Sequence, residues 1–199
     1  MSVDWDSLEH AYGGAGDLAA LLDGADRETG SVAAVHQVAR CVLHQGTVYT
    51  ATAPAVDALT GWIAPGSGNT GVAVCMFLFD LILAIRGRLR HAPPGSPVAT
   101  CGEAVRRAVP RLSALRTDED ALLQAWAVHL LSWMPTPVEG FAAGELDRLA
   151  SLGHPLLCVT SALAVSIDPA LEASLLSILQ GWLEDGGDRA TAAAMVWAE

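Results

Sequence analysis

The residue best suited to acid–base chemistry in this chain is Asp80, which stands within its most apolar stretch. Residues 76–83 are all apolar except Asp80 itself. Because an ionised carboxylate is costly to bury, we expect Asp80 to be paired, hydrogen-bonded, protonated or open to a cleft. A buried ion pair with an Arg or a His, which would fix helix packing, is the favoured interpretation. A functional carboxylate in a cleft is the alternative.

Three side chains recur every four residues on one predicted helix, namely His36, Arg40 and His44. Residues at this spacing share one face of a helix. His44 falls at the carboxyl end of the helix, where the helix dipole favours an imidazolium. Cys41 stands three residues earlier as a candidate thiol partner for that imidazole. We favour a solvated or ion-paired face for the three side chains and burial as a small apolar residue for Cys41.

A cleft that held Asp80, Arg40, His44 and Tyr49 would make the chain an enzyme or part of one. Asp80 and His44 are the candidate catalytic residues, with Asp80 acting as a base or stabilising a cation. Arg40 would bind an anionic group such as sulfate, phosphate or carboxylate. These residues are therefore the first candidates for a small-molecule site.

An aromatic stripe is predicted on a later helix, where Trp126, His129 and Trp133 lie at positions i, i+3 and i+7. Such a stripe is usually part of a core. On an open helical surface, Trp126 and His129 would instead bind a ligand or a protein partner. Burial in the core is the favoured interpretation.

No cofactor or metal site is predicted from the motifs. Residues 66–71 match G-x-G-x-x-G, but a helix precedes them and position 91 is His, so the strand and acidic residue of a dinucleotide site are missing. We interpret them as a loop with a helix cap at Asn69 or Thr70. The His and Cys residues never stand at zinc-ligand spacing. The chain has no Lys, which excludes Schiff-base chemistry and a P-loop lysine.

Gly and Pro residues divide the chain into about ten predicted helices. Capping chemistry marks helix starts at 117–120, 136–139 and 168–169. Short connections between helices favour stacked antiparallel hairpins, as in a bundle or a solenoid. A weak internal repeat between residues 55–59 and 108–112, each in the second helix of a hairpin, favours the solenoid.

Composition predicts one all-α domain spanning residues 1–199. The chain is 52% hydrophobic, rich in Ala and Leu, and carries a net charge of −11, which opposes binding to nucleic acid. The amino terminus has no signal-like pattern, and the apolar run 72–85 is shorter than a bilayer span. The four Cys residues are widely spaced. We therefore expect a cytoplasmic protein that binds neither membrane nor nucleic acid.

Two stretches carry a family resemblance. Residues 3–13 read VDWDSLEHAYG and residues 44–52 read HQGTVYTAT. Together they resemble the amino-terminal signature of a HEAT-like repeat family of actinobacteria, D-W-x-x-L-x-H-A-Y-G followed by H-Q-G-T-x-Y-x-A-T and A-V-P-F-L. Asp57 and Ala58 stand where the family has Pro-Phe. The resemblance implies an α-solenoid of HEAT-like hairpins, in which Trp5, His10 and Tyr12 pack near residues 44–49 and close one end.

Three functions follow as hypotheses. The first is an interaction protein or accessory subunit that presents an acidic surface to a protein partner, in a hetero- or homo-oligomer, with exposed tryptophans expected among Trp62, Trp182 and Trp197. The second is an enzyme, or an obligate enzyme subunit, of small-molecule secondary metabolism that uses the Asp80 cleft. The third, a HEAT-like DNA glycosylase, is disfavoured by the acidic charge.

Overall fold

The computed structural model describes residues 3–24 and 32–134, which form six α-helices, two two-stranded hairpins and two single 3-10 turns. The helices are α1 (Gly16–Gly24), α2 (Val32–Val42), α3 (Thr52–Thr60), α4 (Gly68–Leu89), α5 (Pro97–Ala114) and α6 (Ala121–Trp133). The hairpins are β1 (Glu9–His10) with β2 (Gly13–Gly14) and β3 (Leu43–His44) with β4 (Thr47–Val48). The predicted all-α class is confirmed. The predicted total of about ten helices includes segments outside the described residues.

Helix α4 makes contacts with most of the other described helices. It packs against α2, α5 and α6 and touches α3, while α3 packs against α5 and α5 against α6. Ten of the 22 residues of α4 are buried, so this helix contributes more of the described core than any other helix.

The internal repeat of the sequence coincides with the contact between α3 and α5. Residues 55–59 lie in α3 and residues 108–112 in α5. The first and last residues of both segments are buried. At the surface of the same contact, Arg107 donates two hydrogen bonds to the Asp57 carboxylate, at 3.0 Å from Nε and 2.6 Å from Nη2. Asp57 and Arg107 therefore link the two helices.

Polar caps set the starts of the later helices. The Ser96 hydroxyl accepts from the Ala99 N–H at the start of α5, ahead of Pro97. Helix α6 is capped by Asp120, whose carboxylate accepts from the N–H groups of Leu122 and Leu123 at 2.9 and 3.2 Å. The cap predicted over residues 117–120 therefore lies at the last of these residues. The caps predicted at 136–139 and 168–169 lie outside the described residues.

The glycine-rich loop differs from its prediction in one detail. Helix α4 begins at Gly68, so Asn69 and Thr70 lie inside its first turn and neither is the cap. Gly66 and Gly68 adopt positive φ angles of 79° and 52°, which only Gly adopts at little cost. The two glycines turn the chain sharply into α4, which accounts for a motif that resembles a nucleotide-binding loop.

Thr52 joins three elements at the amino terminus of α3. Its side chain is fully buried. Its hydroxyl donates to the Val42 carbonyl at the end of α2 at 2.6 Å and accepts from the Tyr49 N–H at 2.8 Å. The Cys101 thiol of α5 lies beside the same hydroxyl. Because helix ends leave carbonyl groups without helical partners, Thr52 satisfies one that would otherwise be buried without a hydrogen bond.

Among the described residues, Gly68–Leu89 is the one helix whose length and composition would suit a membrane span. Half of its most apolar window is buried against the rest of the chain, and core helices pass the same test. The sequence predicted a shorter apolar run, residues 72–85, in a core helix. The packing of α4 on three neighbouring helices agrees with that interpretation.

Candidate interaction site on helices α4 and α6

The outward face of α4 carries a stripe of exposed residues, which we call the α4 stripe: Met76, Asp80, Leu83 and Gly87. These positions are spaced by four, three and four residues, so they lie in one row along the helix. Met76 and Leu83 are 46% and 45% exposed. The α4 stripe therefore places two large apolar side chains at the surface on either side of a carboxylate.

Aromatic rings flank the α4 stripe where α4 contacts α6. Phe79 lies at centroid distances of 4.7 Å from His129, 5.5 Å from Trp133 and 6.2 Å from Trp126. Most of these pairs meet edge to face, a favourable arrangement of aromatic quadrupoles. His129 is 1% exposed, whereas Phe79, Trp126 and Trp133 are half-buried. His129 therefore lies in the core, and Phe79, Trp126 and Trp133 pack against the core as half-buried rings. This arrangement agrees with the favoured interpretation of the stripe.

Arg86 of α4 and Leu122 of α6 lie near the aromatic rings and the α4 stripe. The Arg86 guanidinium carbon lies 4.9 Å from the centroid of the Trp133 ring, within the range of a cation–π contact. Leu122, in the first turn of α6, is 36% exposed. We call the combined surface of Met76, Phe79, Leu83, Leu122, Trp126 and Trp133 the α4–α6 face.

The prediction that Asp80 is buried and paired is wrong. Asp80 is exposed on the α4 stripe. Within residues 3–24 and 32–134, the ion pairs are His10–Asp17 and Asp57–Arg107. The apolar side chains around it nevertheless remove part of its hydration, which raises the pKa of the Asp80 carboxyl above its ordinary value. An apolar neighbourhood in sequence did not imply a buried one, because both faces of α4 carry apolar residues.

The proposed catalytic cleft is not assembled by hydrogen bonds or ion pairs. In the described part of the chain, no such contact joins Asp80 to Arg40, His44 or Tyr49. Arg40 is exposed on α2, and Tyr49 is half-buried with its N–H bonded to Thr52. The structure gives these four residues no shared geometry on which a reaction step could be based.

His44 instead meets the amino-terminal hairpin. The Tyr12 ring packs edge-on against the His44 imidazole at a centroid distance of 5.6 Å, with the Tyr12 hydroxyl 3.5 Å from His44 Nδ1. Backbone hydrogen bonds fasten the hairpin beside it, from Ala11 N–H to the Cys41 carbonyl and from Ala51 N–H to the Glu9 carbonyl. The predicted contact of Tyr12 with the second signature stretch is confirmed, while Trp5 packs on the edge of the core.

His10 is held in a structural role. Its ring is buried, its Nδ1 accepts from the Tyr12 N–H at 3.0 Å, and its Nε2 lies 2.9 Å from an Asp17 carboxylate oxygen. Since Nδ1 must supply the lone pair, Nε2 carries the hydrogen that is donated to Asp17. Neither ring nitrogen is then available to take a proton from a substrate, so this Asp–His pair is not a general base.

Cys41 does not form an activated thiol–imidazole pair. Its side chain is half-buried, and burial together with the nearby Asp17 carboxylate raises the pKa of the thiol, although Arg40 opposes this shift. A nucleophilic cysteine requires the opposite shift, toward the thiolate. The interpretation of Cys41 as a small apolar residue is therefore the better one.

The sequence does not predict that residues of α4 and α6 form one surface. The sequence alone does not single out Phe79 or Leu83, because apolar residues occur all along this helix, or Arg86, because a basic residue is ordinary in the last turn of a helix. The available signal was the 4-3-4 spacing of Met76, Asp80, Leu83 and Gly87, in which the one charged residue marks the outward side of the helix. Trp62, which we expected to be exposed, is 6% exposed. Trp182 and Trp197 lie outside the described residues.

Comparison with known proteins adds no relative to this picture. Searches against protein-family models, curated proteins and solved structures found no match to this chain.

Proposed function

We propose that this chain is an α-helical repeat interaction protein, or an accessory subunit, that binds a protein partner. In this proposal the whole chain is one HEAT-like solenoid of about ten helices in stacked antiparallel hairpins. The packing of α4 against α2 and α6, and of α3 against α5, supports such stacking, since each hairpin of a solenoid covers its neighbour. So does the burial of the repeated Ala and Leu positions in α3 and α5.

The observation that carries the proposal is the α4–α6 face. Met76, Leu83 and Leu122 are exposed apolar side chains, and half-buried aromatic rings lie between α4 and α6. Large apolar side chains that are exposed beside aromatic rings are a feature of contact sites on proteins that bind a partner. Aromatic rings flanked by an Arg are also the composition of binding hot spots.

The acidic character of the chain supports a protein partner with a basic surface. A net charge of −11 accelerates encounter with such a surface and disfavours nucleic acid. We retain the expectations of a cytoplasmic location, of no membrane attachment and of no cofactor as part of this proposal. The enzyme hypothesis loses its main support, because Asp80 has no contact with Arg40 or His44 among the described residues.

The experiment compares partner capture by matched variants in the native host. The full-length tagged chain carries either no change, Met76→Ser with Leu83→Ser on the α4–α6 face, or Arg106→Ser on the exposed side of α5. We expect a stoichiometric protein to be retained by the wild type and by Arg106→Ser, and to be lost from the double variant. Equal melting temperatures would confirm that all three chains are folded.

One result would refute the proposal. A protein that is monomeric by light scattering when isolated from its native host, with no stoichiometric partner that depends on Met76 and Leu83, would leave the α4–α6 face without a role in binding.

A further inference from the structure

The spacing of the α4 stripe matches the contact line of a helix that packs against another helix. Intervals of four, three and four residues are those of the core positions in paired helices. From Met76 to Gly87 the line extends over about 16 Å at 1.5 Å per residue. Gly87 has open space around the position of a Cβ atom, so a neighbouring backbone can approach α4 closely there. The α4 stripe is thus long enough to seat about three turns of a helix.

Aromatic rings lie along one side of the α4 stripe. Phe79, Trp126 and Trp133 lie on the side of α4 that faces α6, and Arg86 covers one face of the Trp133 ring. A helix laid along the α4 stripe would bury Met76 and Leu83 beneath it and contact these rings at its flank. The chemistry required of its central positions is therefore apolar.

Asp80 adds one charged requirement in the middle of that apolar line. Its carboxylate lies between Met76 and Leu83 and takes part in neither of the ion pairs of the described residues. An apolar partner helix would bury this charge without compensation, which is costly. A basic residue opposite Asp80 removes that cost, because the two charges are desolvated together as a pair.

Charge also argues against two other occupants of the α4 stripe, namely a second copy of this chain and the chain's own residues 135–199. Two copies of this chain paired along the same line would bring two Asp80 carboxylates into one interface and two chains of net charge −11 together. Residues 135–199 contain nine acidic residues and two Arg, which makes that segment a poor electrostatic match for Asp80. A separate basic helix fits the α4 stripe best.

We propose that the partner contributes an amphipathic helix that lies along the α4 stripe, with apolar residues flanking one Lys or Arg that pairs with Asp80. The inference rests on the proposed function, because it identifies the element of the partner that the α4–α6 face binds.

The test uses two synthetic helical peptides of about 21 residues, three heptads long. Both have Leu at the contact positions and Gln or Ala elsewhere, and they differ at the central contact position, which is Lys in one and Glu in the other. Binding to the full chain is measured by fluorescence anisotropy. We expect the Lys peptide to bind the wild type at least about tenfold more tightly than the Glu peptide.

Charge exchange at Asp80 supplies the matched controls. Because Asp80 is exposed, Asp80→Asn and Asp80→Lys should fold, which circular dichroism verifies. Asp80→Asn should abolish the preference for Lys, Asp80→Lys should reverse it, and Leu83→Ser should weaken both peptides. Equal binding of the two peptides to the wild type, binding of neither, or an unchanged preference in Asp80→Lys would overturn the proposal.

Two further measurements test whether a second copy of the chain or another segment of the same chain covers the α4 stripe. A dimer of the purified chain that dissociates on Leu83→Ser would identify a second copy on the α4 stripe and overturn the proposal. So would shielding of the Met76 methyl group from a dissolved paramagnetic probe in the monomer, which would indicate coverage by the chain itself. If the peptides fail while the native-host partner still depends on Met76 and Leu83, the partner helix is refuted and the proposed function stands.

Discussion

Replacing Thr52 with Val tests whether the hydroxyl of this buried residue holds the junction of α2 and α3 together. The two side chains have nearly the same shape, so the change creates almost no cavity. In the wild type, the Thr52 hydroxyl oxygen lies 2.6 Å from the Val42 carbonyl oxygen and 2.8 Å from the Tyr49 nitrogen. Valine removes both the donor to that carbonyl and the acceptor of that N–H. Both backbone groups would be left without that partner at the end of α2 and the start of α3.

The expected cost follows from the burial of the two backbone groups. A buried polar group without a hydrogen bond costs about 1–3 kcal/mol. Val42 is fully buried, whereas Tyr49 is half-buried and water can reach part of its surroundings. We therefore expect Thr52→Val to lower the free energy of unfolding by about 2–4 kcal/mol, which corresponds to a fall of about 6–12 °C in melting temperature for a chain of this size.

The measurement is urea unfolding at 25 °C, followed by far-ultraviolet circular dichroism, with Thr52→Ser as the matched control. Serine keeps the hydroxyl and loses one buried methyl group, which should cost about 1 kcal/mol. The hydroxyl is the important group if Val is worse than Ser. If Ser is the more damaging change, or if Val costs less than about 1 kcal/mol, methyl packing rather than hydrogen bonding stabilises this junction, and the reasoning fails.

Three further outcomes are expected. Asp80→Asn should leave the free energy of unfolding at pH 7 within about 0.5 kcal/mol of the wild-type value or slightly above it. The apolar neighbours of exposed Asp80 partly desolvate its carboxyl and raise its pKa, so the native state holds this proton more tightly than the unfolded state. The wild type should therefore gain stability relative to the variant as the pH falls from 7 to 3. A loss of more than about 1 kcal/mol at pH 7 would instead indicate a paired carboxylate. Burial raises the pKa of the Cys75 and Cys101 thiols to about 12. Of the three cysteines in the described residues, a thiol reagent at pH 8 should therefore modify half-buried Cys41 first, as read by peptide mass mapping. Equal labelling of these three would contradict the burial of Cys75 and Cys101. A double-mutant cycle on Asp57→Ala and Arg107→Ala should give a coupling below about 1 kcal/mol that shrinks in high salt, because both side chains are about half exposed; a larger, salt-insensitive coupling would not fit an exposed pair.

The sequence predicted the helices better than the faces they bury. Helix α4 was identified from its apolar run, but in a helix that is apolar all round the spacing of apolar residues does not indicate which side is outward. The outward side of α4 is set by its contacts with α2, α5 and α6, which join residues far apart in the sequence. Asp80 was therefore assigned to the interior although it lies outside.

The sequence predicted only part of the structure around His44. The contact between the two signature stretches was expected from the resemblance, and Tyr12 does meet His44. The short strands Leu43–His44 and Thr47–Val48 were not expected, because two residues are too few to display an alternating pattern. Their turn places Gln45 and Gly46 at φ angles of 49° and 72°, which is the geometry of a tight hairpin turn rather than of a helix end.

The attachment of the amino-terminal hairpin has a consequence for how this end of the molecule can diverge. Two of its bonds, from Ala11 N–H to Cys41 and from Ala51 N–H to Glu9, join main-chain atoms only. Such bonds require no particular side chain at the four positions, provided that neither of the donors, Ala11 and Ala51, becomes proline. The hairpin can thus exchange its outward side chains, Tyr12 among them, without detaching. Over evolution this end can acquire new surface chemistry while the helices behind it stay unchanged.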